Sequence, residues 1–241
     1  MSDMEDHTHD GDNQNTMAFM DTATGSDTPP NERSTPLPTG WRQYKHPNGD
    51  VYFYHQGFRL ITPDNIRDPD ILEYVFDARD HQLDGLLNDS TAQNLPEDYE
   101  MIIMEANDET AMIQMLSREQ GVAFEWTEDG GLMMESSLSY WSLIAEYPSH
   151  FPILPPRIED EFLSSLQNAR LSIATGTRFV YTELEIDRIY ARYQYLNDLR
   201  SQGRNSTPSI AWLIGSVMPL DELGRRVNDE QMAALINGLH F

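Results

Sequence analysis

The stretch WRQYKHPNGDVYFYHQGFRLIT, residues 41–62, decides how the first part of this chain folds. Trp41–Lys45 shows the period-two pattern of a β-strand, and Val51–Tyr54 is a run of β-branched and aromatic residues, which favour strands. Asn48-Gly49 stands between these runs, and both residues tolerate the positive φ angles of a type I′ hairpin turn. A third run follows at Arg59–Ile61. The stretch therefore predicts a three-stranded antiparallel meander.

The next segment, residues 71–131, mixes helical and strand patterns. Apolar residues between Ile71 and Leu87 recur at helical spacing with an interruption around Asp80, which predicts one or two short helices. Period-two runs then return, separated by polar turns, and predict a second short β-meander. Its three strands are expected at Tyr99–Met104, Met112–Leu116 and Val122–Trp126.

From about Leu132 onward the pattern is helical. One helix is expected over Leu138–Tyr147 and another over Ile158–Leu171. Thr182 and Glu185 form the capping box of a third, since each side chain satisfies a backbone amide of the first turn. A fourth begins at Pro208, and a last one is capped by Asn228 and Gln231.

Composition limits the classes of partner. The formal net charge of −24 disfavours nucleic acid and anionic membranes, because both attract clustered Lys and Arg. The chain has no cysteine, which excludes disulfides and thiolate metal sites. Because no apolar run is long enough for a membrane helix or a secretory signal, we expect an intracellular protein, cytoplasmic or nuclear.

The predicted fold class is α+β, with four segments along the chain. Residues 1–35 are expected to be a disordered acidic tail, because they are rich in polar residues and poor in apolar ones. Residues 36–70 form the small three-stranded unit. Residues 71–131 contain short helices and the second meander, and residues 132–241 form an α-helical region.

A family resemblance covers about a seventh of the chain. It depends on Leu37-Pro38-Thr39-Gly40-Trp41, Asn48-Gly49, Tyr52-Phe53-Tyr54-His55, Arg59, Thr62 and Asp68-Pro69. This series resembles the WW domain, a module that binds proline-rich or phospho-Ser/Thr-Pro peptides. Together with a β segment that ends at Trp126 and a helix running from Ser139-Tyr140-Trp141 to Tyr147-Pro148-Ser149-His150, this unit also resembles uncharacterised WW-containing proteins of filamentous fungi, a likeness that supplies no activity.

The resemblance assigns roles to individual residues. It implies a structural clasp between Trp41 and Pro69, with Phe53 on the same side. Alternation along the strand then places Tyr52 and Tyr54 on the opposite face, where a polyproline-II ligand would lie. His55 stands near the family's specificity histidine.

One position departs from the WW pattern. Ile66 stands where these domains have a second tryptophan, so half of the aromatic clamp for proline is missing. An isoleucine preserves apolar contact but offers no flat ring. Two interpretations therefore stay open, a unit that still binds peptide through Tyr52, Tyr54, His55 and Ile66, and a unit kept only as structure. The second meander, ending at Trp126, is likewise a degenerate WW-like unit or an ordinary meander.

Two functions follow from these interpretations. The first is an adaptor that recruits a proline-containing protein or peptide, and the second is a scaffold or assembly subunit whose acidic helical region contacts a partner. No enzyme signature, cofactor site or metal site is predicted. Pro155-Pro156-Arg157 resembles a short WW ligand, which suggests either intramolecular docking onto Tyr52 and Tyr54 or an ordinary helix entrance.

Overall fold

Seven β-strands form one sheet whose spatial order follows the chain order. They are β1 (Trp41–Lys45), β2 (Val51–His55), β3 (Leu60–Thr62), β4 (Glu100–Met104), β5 (Met112–Ser117), β6 (Val122–Thr127) and β7 (Gly131–Met134). This computed structural model describes residues 36–176, 179–220 and 229–237. The predicted tail of residues 1–35 and the predicted cap at Asn228 lie outside them.

The two predicted β units are joined into a single sheet. β1, β2 and β3 are antiparallel, as are β4 to β7, but β3 pairs with β4 in parallel through Leu60↔Met101 and Ile61↔Ile102. The α+β class is confirmed. The prediction of a small sheet with a separate second meander is matched only in part, because a crossover returns the chain alongside β3.

That crossover is α1 (Pro69–Asn88), one uninterrupted helix. Asp68 caps it, since its side chain accepts from the backbone N–H of Asp70, and Pro69 occupies the first turn, where its missing N–H costs nothing. The predicted interruption around Asp80 is wrong. No glycine or proline stands between Pro69 and Gly85, so nothing in the backbone ends the helix there.

The chain remains extended beyond Leu132, where the sequence pattern predicted helix. β7 pairs antiparallel with β6, from Thr127↔Gly131 to Phe124↔Met134. Gly131 has a φ of +68°, which lets the chain reverse tightly enough to pair. The helical region therefore begins later than predicted, at Ser137.

Five further α-helices are found in the described residues after β7. They are α2 (Ser137–Glu146), α3 (Ile158–Ala174), α4 (Glu183–Ser201), α5 (Thr207–Val217) and α6 (Asp229–Asn237). The capping box of α4 is confirmed, because Thr182 and Glu185 exchange both hydrogen bonds. Apolar periodicity and, for α4, the capping box were the signals that predicted these helices.

The sheet carries a separate apolar cluster on each face. One cluster joins Val75 and Leu86 of α1 to strand residues such as Met101. The other joins α2 to α6 to alternate strand residues, including Ile61 and Ile102. Since neighbouring strand residues point to opposite faces, the sheet is the middle layer between α1 and the C-terminal helices. Within the described residues, no helix combines the length and apolar character needed to cross a membrane.

Candidate functional site

The β1–β2 turn differs from the predicted type I′ geometry. Gly49 has a φ of +106°, but the φ of Asn48 is not positive, and the Gly49 N–H donates to the His46 carbonyl at 2.9 Å. The turn is thus centred on Pro47-Asn48 with glycine following in the left-handed region. Asn48 Oδ1 accepts from the Asp50 N–H at 2.9 Å. This hydrogen bond stabilises the loop between β1 and β2, which is longer than a two-residue type I′ turn.

Three tyrosines share one face of the first hairpin. Tyr44 and Tyr52 are directly paired across β1 and β2, and their rings stack with centroids 5.8 Å apart. Tyr54 lies on the same face, 6.4 Å from Tyr44. We call these three rings the aromatic face, and it is the surface that the WW resemblance assigns to a peptide.

The aromatic face is covered by the chain itself. Residues Tyr147–Phe151, here called the covering segment, run across it directly after α2. Tyr147 packs edge-on against Tyr52 at 5.3 Å, and His150 lies 4.5 Å from the ring of Tyr54. Tyr52 is consequently 2% exposed, whereas Tyr54 is half-buried.

Hydrogen bonds fix the covering segment to the hairpin. The Ser149 N–H donates to the Tyr52 hydroxyl at 2.6 Å, and Ser149 Oγ donates to the Lys45 carbonyl at 2.8 Å. His150 Nδ1 lies 3.1 Å from the same hydroxyl. Burial raises the pKa of Tyr52, so the phenol stays neutral and these contacts persist across the physiological range.

A buried polar cluster lies beside the covering segment. Arg118 Nε donates to Glu100 Oε2 at 2.7 Å, and Arg118 Nη2 lies 3.0 Å from His150 Nε2. The guanidinium also stacks on the ring of Phe151 at 4.2 Å. These contacts tie β4, β5 and the covering segment together.

The charges of this cluster shift its pKa values. Burial acts to raise the pKa of Glu100, but Arg118 and His150 outweigh it and lower the pKa to about 2. Burial and the Arg118 charge lower the pKa of His150, although Glu100 acts in the other direction. The cluster is therefore a Glu⁻–Arg⁺ pair beside a neutral imidazole near neutral pH.

The opposite face of the hairpin holds the other predicted site residues. Trp41, Phe53 and Ile66 are buried in the cluster that contains α1. His55 pairs directly with Trp41, and their rings meet at 5.4 Å. Pro69 is exposed at the start of α1, and a ring of that helix, Phe76, packs on Trp41 at 6.1 Å.

The four predicted peptide-binding residues are therefore divided by the sheet. Tyr52 and Tyr54 lie on the face covered by Tyr147–Phe151, whereas His55 and Ile66 lie on the α1 face. Sequence reasoning missed Ser149 and His150, although both stand in the polar stretch just after Pro148. No local signal connects that stretch to a hairpin about a hundred residues earlier.

Two cavities adjoin these elements. One, of about 610 Å³, lies between the β1–β2 turn and the helices α2, α5 and α6, and is lined by His46 and Trp212. The other, of about 430 Å³, is lined by Pro155, Pro156 and Arg157. The prolines of the predicted internal ligand thus line their own cavity, and the residues that meet Tyr52 come from the covering segment.

The comparisons with known proteins assign no relative. No family model matches the chain, and neither a curated protein nor a solved structure matches it. Within the described residues, no three His, Asp or Glu side chains are grouped to hold a metal ion. The function must accordingly be argued from the geometry and charge of the chain.

Proposed function

We propose that this chain is a protein-binding scaffold whose WW-like hairpin is a structural part of a larger sheet. The observation that carries the proposal is the burial of Tyr52 beneath Tyr147, Ser149 and His150. A WW groove must present that ring to solvent in order to stack a proline. Here the ring is a core residue, and Ile66, which stands in place of the second clamp tryptophan, lies on the other face.

Peptide binding at the aromatic face would require the covering segment to leave. Displacement would break the two hydrogen bonds that Ser149 donates, to Tyr52 and Lys45, and would separate Phe151 from Arg118. The apparent affinity falls by the fraction of molecules that are open, so a closed site weakens any proline ligand in proportion. This cost favours the scaffold over the adaptor.

The negative charge indicates which surface meets the partner. Residues 71–131 contain fifteen Asp and Glu against two Arg, a net charge of −13. Residues 132–241 contain thirteen Asp and Glu against nine Arg, a net charge of −4. The negative charge is therefore concentrated on α1 and on the loops around β4 to β7 more than on the C-terminal helices.

A basic protein surface is the partner that this charge distribution favours. Complementary charge accelerates encounter and selects against acidic competitors, and the attraction weakens with added salt. Nucleic acid would be repelled by the same field. The proposed role is thus to recruit or hold a basic protein on the α1 side of the sheet.

The test compares two peptide libraries on the full chain. We expect lysine- and arginine-rich peptides to bind with an affinity that falls steeply between 50 and 300 mM salt, measured by fluorescence anisotropy. Proline-rich uncharged peptides should not bind. Glu73→Gln, Asp77→Asn and Asp80→Asn together should weaken binding, because all three exposed carboxylates lie on α1.

A matched triple variant in the C-terminal helices serves as the control. Glu161→Gln, Glu183→Gln and Asp198→Asn remove the same charge from exposed positions of α3 and α4 and should weaken binding less. Salt-insensitive binding of proline-rich peptides that is lost in Tyr54→Ala would overturn the scaffold and restore the adaptor. Equal effects of the two triple variants would move the contact away from α1.

A further inference from the structure

Strands β5 and β6 separate at one end of the sheet. Their pairing runs from Ser117↔Val122 to Met115↔Phe124, and no further pair forms in the part of the chain that the structure describes. β5 nevertheless stays paired with β4 as far as Met112, and β6 stays paired with β7 as far as Thr127. We call the resulting opening, of about 740 Å³, the sheet cleft.

The walls of the sheet cleft are two strand edges. Residues 111–114 form one wall and residues 125–128 form the other. A strand in the middle of a sheet directs alternate N–H and C=O groups toward each neighbour. Beyond Met115 and Phe124, those groups face the cleft, and an unpaired strand edge is a template for another strand.

A buried amide of α1 lines the same cleft. Gln82 is only 5% exposed, and its Nε2 has no hydrogen-bond partner in the described residues. An unsatisfied buried donor is energetically costly, so a ligand that supplies an acceptor is favoured. The acceptor that a peptide brings at every residue is its carbonyl oxygen.

The side chains around the cleft select for positive charge. Its described lining residues include four glutamates and no lysine or arginine, and His81 lies 3.5 Å from one of them, Glu128. The other three are Glu125, Glu135 and Glu146. Two methionines, Met104 and Met112, add an apolar contact surface, and Met112 is half exposed. Methionine adapts to ligands of different shape.

We infer that the sheet cleft binds an extended segment of a partner protein that carries Lys or Arg at alternate positions. The segment pairs with the edges of β5 and β6, its carbonyl oxygen accepts from Gln82 Nε2, and its cationic side chains meet Glu125 and Glu128. This inference rests on the proposed function and gives it a site. The chain's own residues 1–35 carry eight Asp and Glu against one Arg, so their charge does not suit the cleft.

The probe is a fluorescein-labelled nonapeptide in which lysine alternates with threonine, added to the full chain. Two control peptides separate the contribution of backbone hydrogen bonds from that of charge. A peptide N-methylated at every residue keeps the charge but cannot donate backbone hydrogen bonds, and a peptide with glutamate for lysine reverses the charge. We expect the first peptide to bind and both control peptides to bind at least about tenfold more weakly.

Variants of the chain then locate the contact. Glu125→Gln with Glu128→Gln should weaken the lysine peptide about tenfold, and Gln82→Leu should weaken it by a similar factor. Glu97→Gln with Glu119→Gln is the matched control. It removes two exposed carboxylates at the end of the sheet where β5 and β6 remain paired. Near-UV circular dichroism verifies that each variant keeps the native fold.

The outcomes separate the inference from the proposed function. If the lysine peptide binds but the cleft variants and the control variants lower its affinity equally, the acidic surface attracts basic partners without using the cleft. The cleft is then excluded as the binding site. Equal binding of the N-methylated peptide excludes strand pairing. If no basic peptide binds, the proposed function fails as well. Chemical shift changes at the indole of Trp126, with none at Tyr52, would support the cleft.

Discussion

At the scale of single residues, the hydroxyl of Tyr52 is the atom on which the closed aromatic face depends. It accepts from the N–H of the partly buried Ser149 and contacts the buried His150. A proline-binding module would keep this ring exposed. The polar contacts of Tyr52 therefore indicate a residue that holds the fold together.

Tyr52→Phe should lower the free energy of unfolding by about 1–2 kcal/mol, because the partly buried N–H of Ser149 and the buried Nδ1 of His150 lose their partner. Urea denaturation followed by tryptophan fluorescence measures the change. Tyr195→Phe is the control, since Tyr195 is 54% exposed and should change stability little. Equal, negligible effects of both substitutions would show that the covering segment is not fastened to Tyr52.

Glu100 makes the stability depend on pH. Its pKa is lowered to about 2 in the folded chain and is close to 4.5 when unperturbed, so its stabilising contribution is present above pH 4.5. That contribution is lost as pH falls from 4.5 toward 2, because the unfolded chain takes up the proton first. The urea midpoint of the Glu100→Gln variant should therefore fall less steeply with decreasing pH over this range than the midpoint of the native chain.

Glu119→Gln supplies the comparison for this titration, because Glu119 is an exposed carboxylate at the β5–β6 turn. Its urea midpoint should follow that of the native chain across the same pH range. An unchanged slope in Glu100→Gln would mean that the Glu100–Arg118 pair does not contribute to acid unfolding.

At the scale of elements, α2 and α5 approach each other unusually closely. A Cβ built on Gly215 of α5 would lie 2.6 Å from the Trp141 carbonyl and 2.6 Å from the Ala145 nitrogen of α2. Both neighbours are backbone atoms that cannot rotate away. The absence of a side chain at Gly215 thus sets the distance between the two helices.

Gly215→Ala should destabilise the chain by about 1–2 kcal/mol, because the cost of overpacking exceeds the roughly 1 kcal/mol gained in helix propensity. Ser216→Ala is the control, since it creates an alanine at the next position of α5 without adding an atom. Thermal unfolding by circular dichroism compares the two. A more stable Gly215→Ala would show that the helices can separate freely.

Elements with local signals were predictable from the sequence, and elements without them were not. The capping box at Thr182 and the turn residues Asn48-Gly49 act on their own neighbours, so the helix and the hairpin they define were found. The parallel pairing of β3 with β4 joins strands about forty residues apart, and nothing in either strand specifies it. β7 was missed because Leu132-Met133-Met134 fits a helix as well as a strand.

The residues of the candidate sites were likewise predictable only where a local pattern marks them. Alternation along β2 correctly separates Tyr52 and Tyr54 from Phe53, but it gives no information about what covers each face. The covering segment and Gln82 reach the sheet only through tertiary packing. Polar residues such as Ser149 and Gln82 carry no pattern that distinguishes a buried position from a surface one.

At the scale of the whole molecule, the first three strands are continuous with the rest of the sheet. Leu60 and Ile61 are both fully buried, and β4 pairs with β3 along them. One of these side chains faces α1 and the other faces the C-terminal helices. A free WW domain has neither neighbour, so the hairpin depends on residues beyond 70 for its own burial.

A peptide of residues 36–70 should therefore be unfolded on its own. Isolating it exposes Leu60, Ile61 and Ile66, and each such side chain contributes about 1.5–3 kcal/mol when it is buried. We expect narrow amide dispersion by NMR and no cooperative melt. Residues 36–241 should melt cooperatively, because they contain both covering layers. A cooperative melt of the short peptide, with a proline-rich ligand raising its midpoint, would show that the hairpin is an independent peptide-binding module.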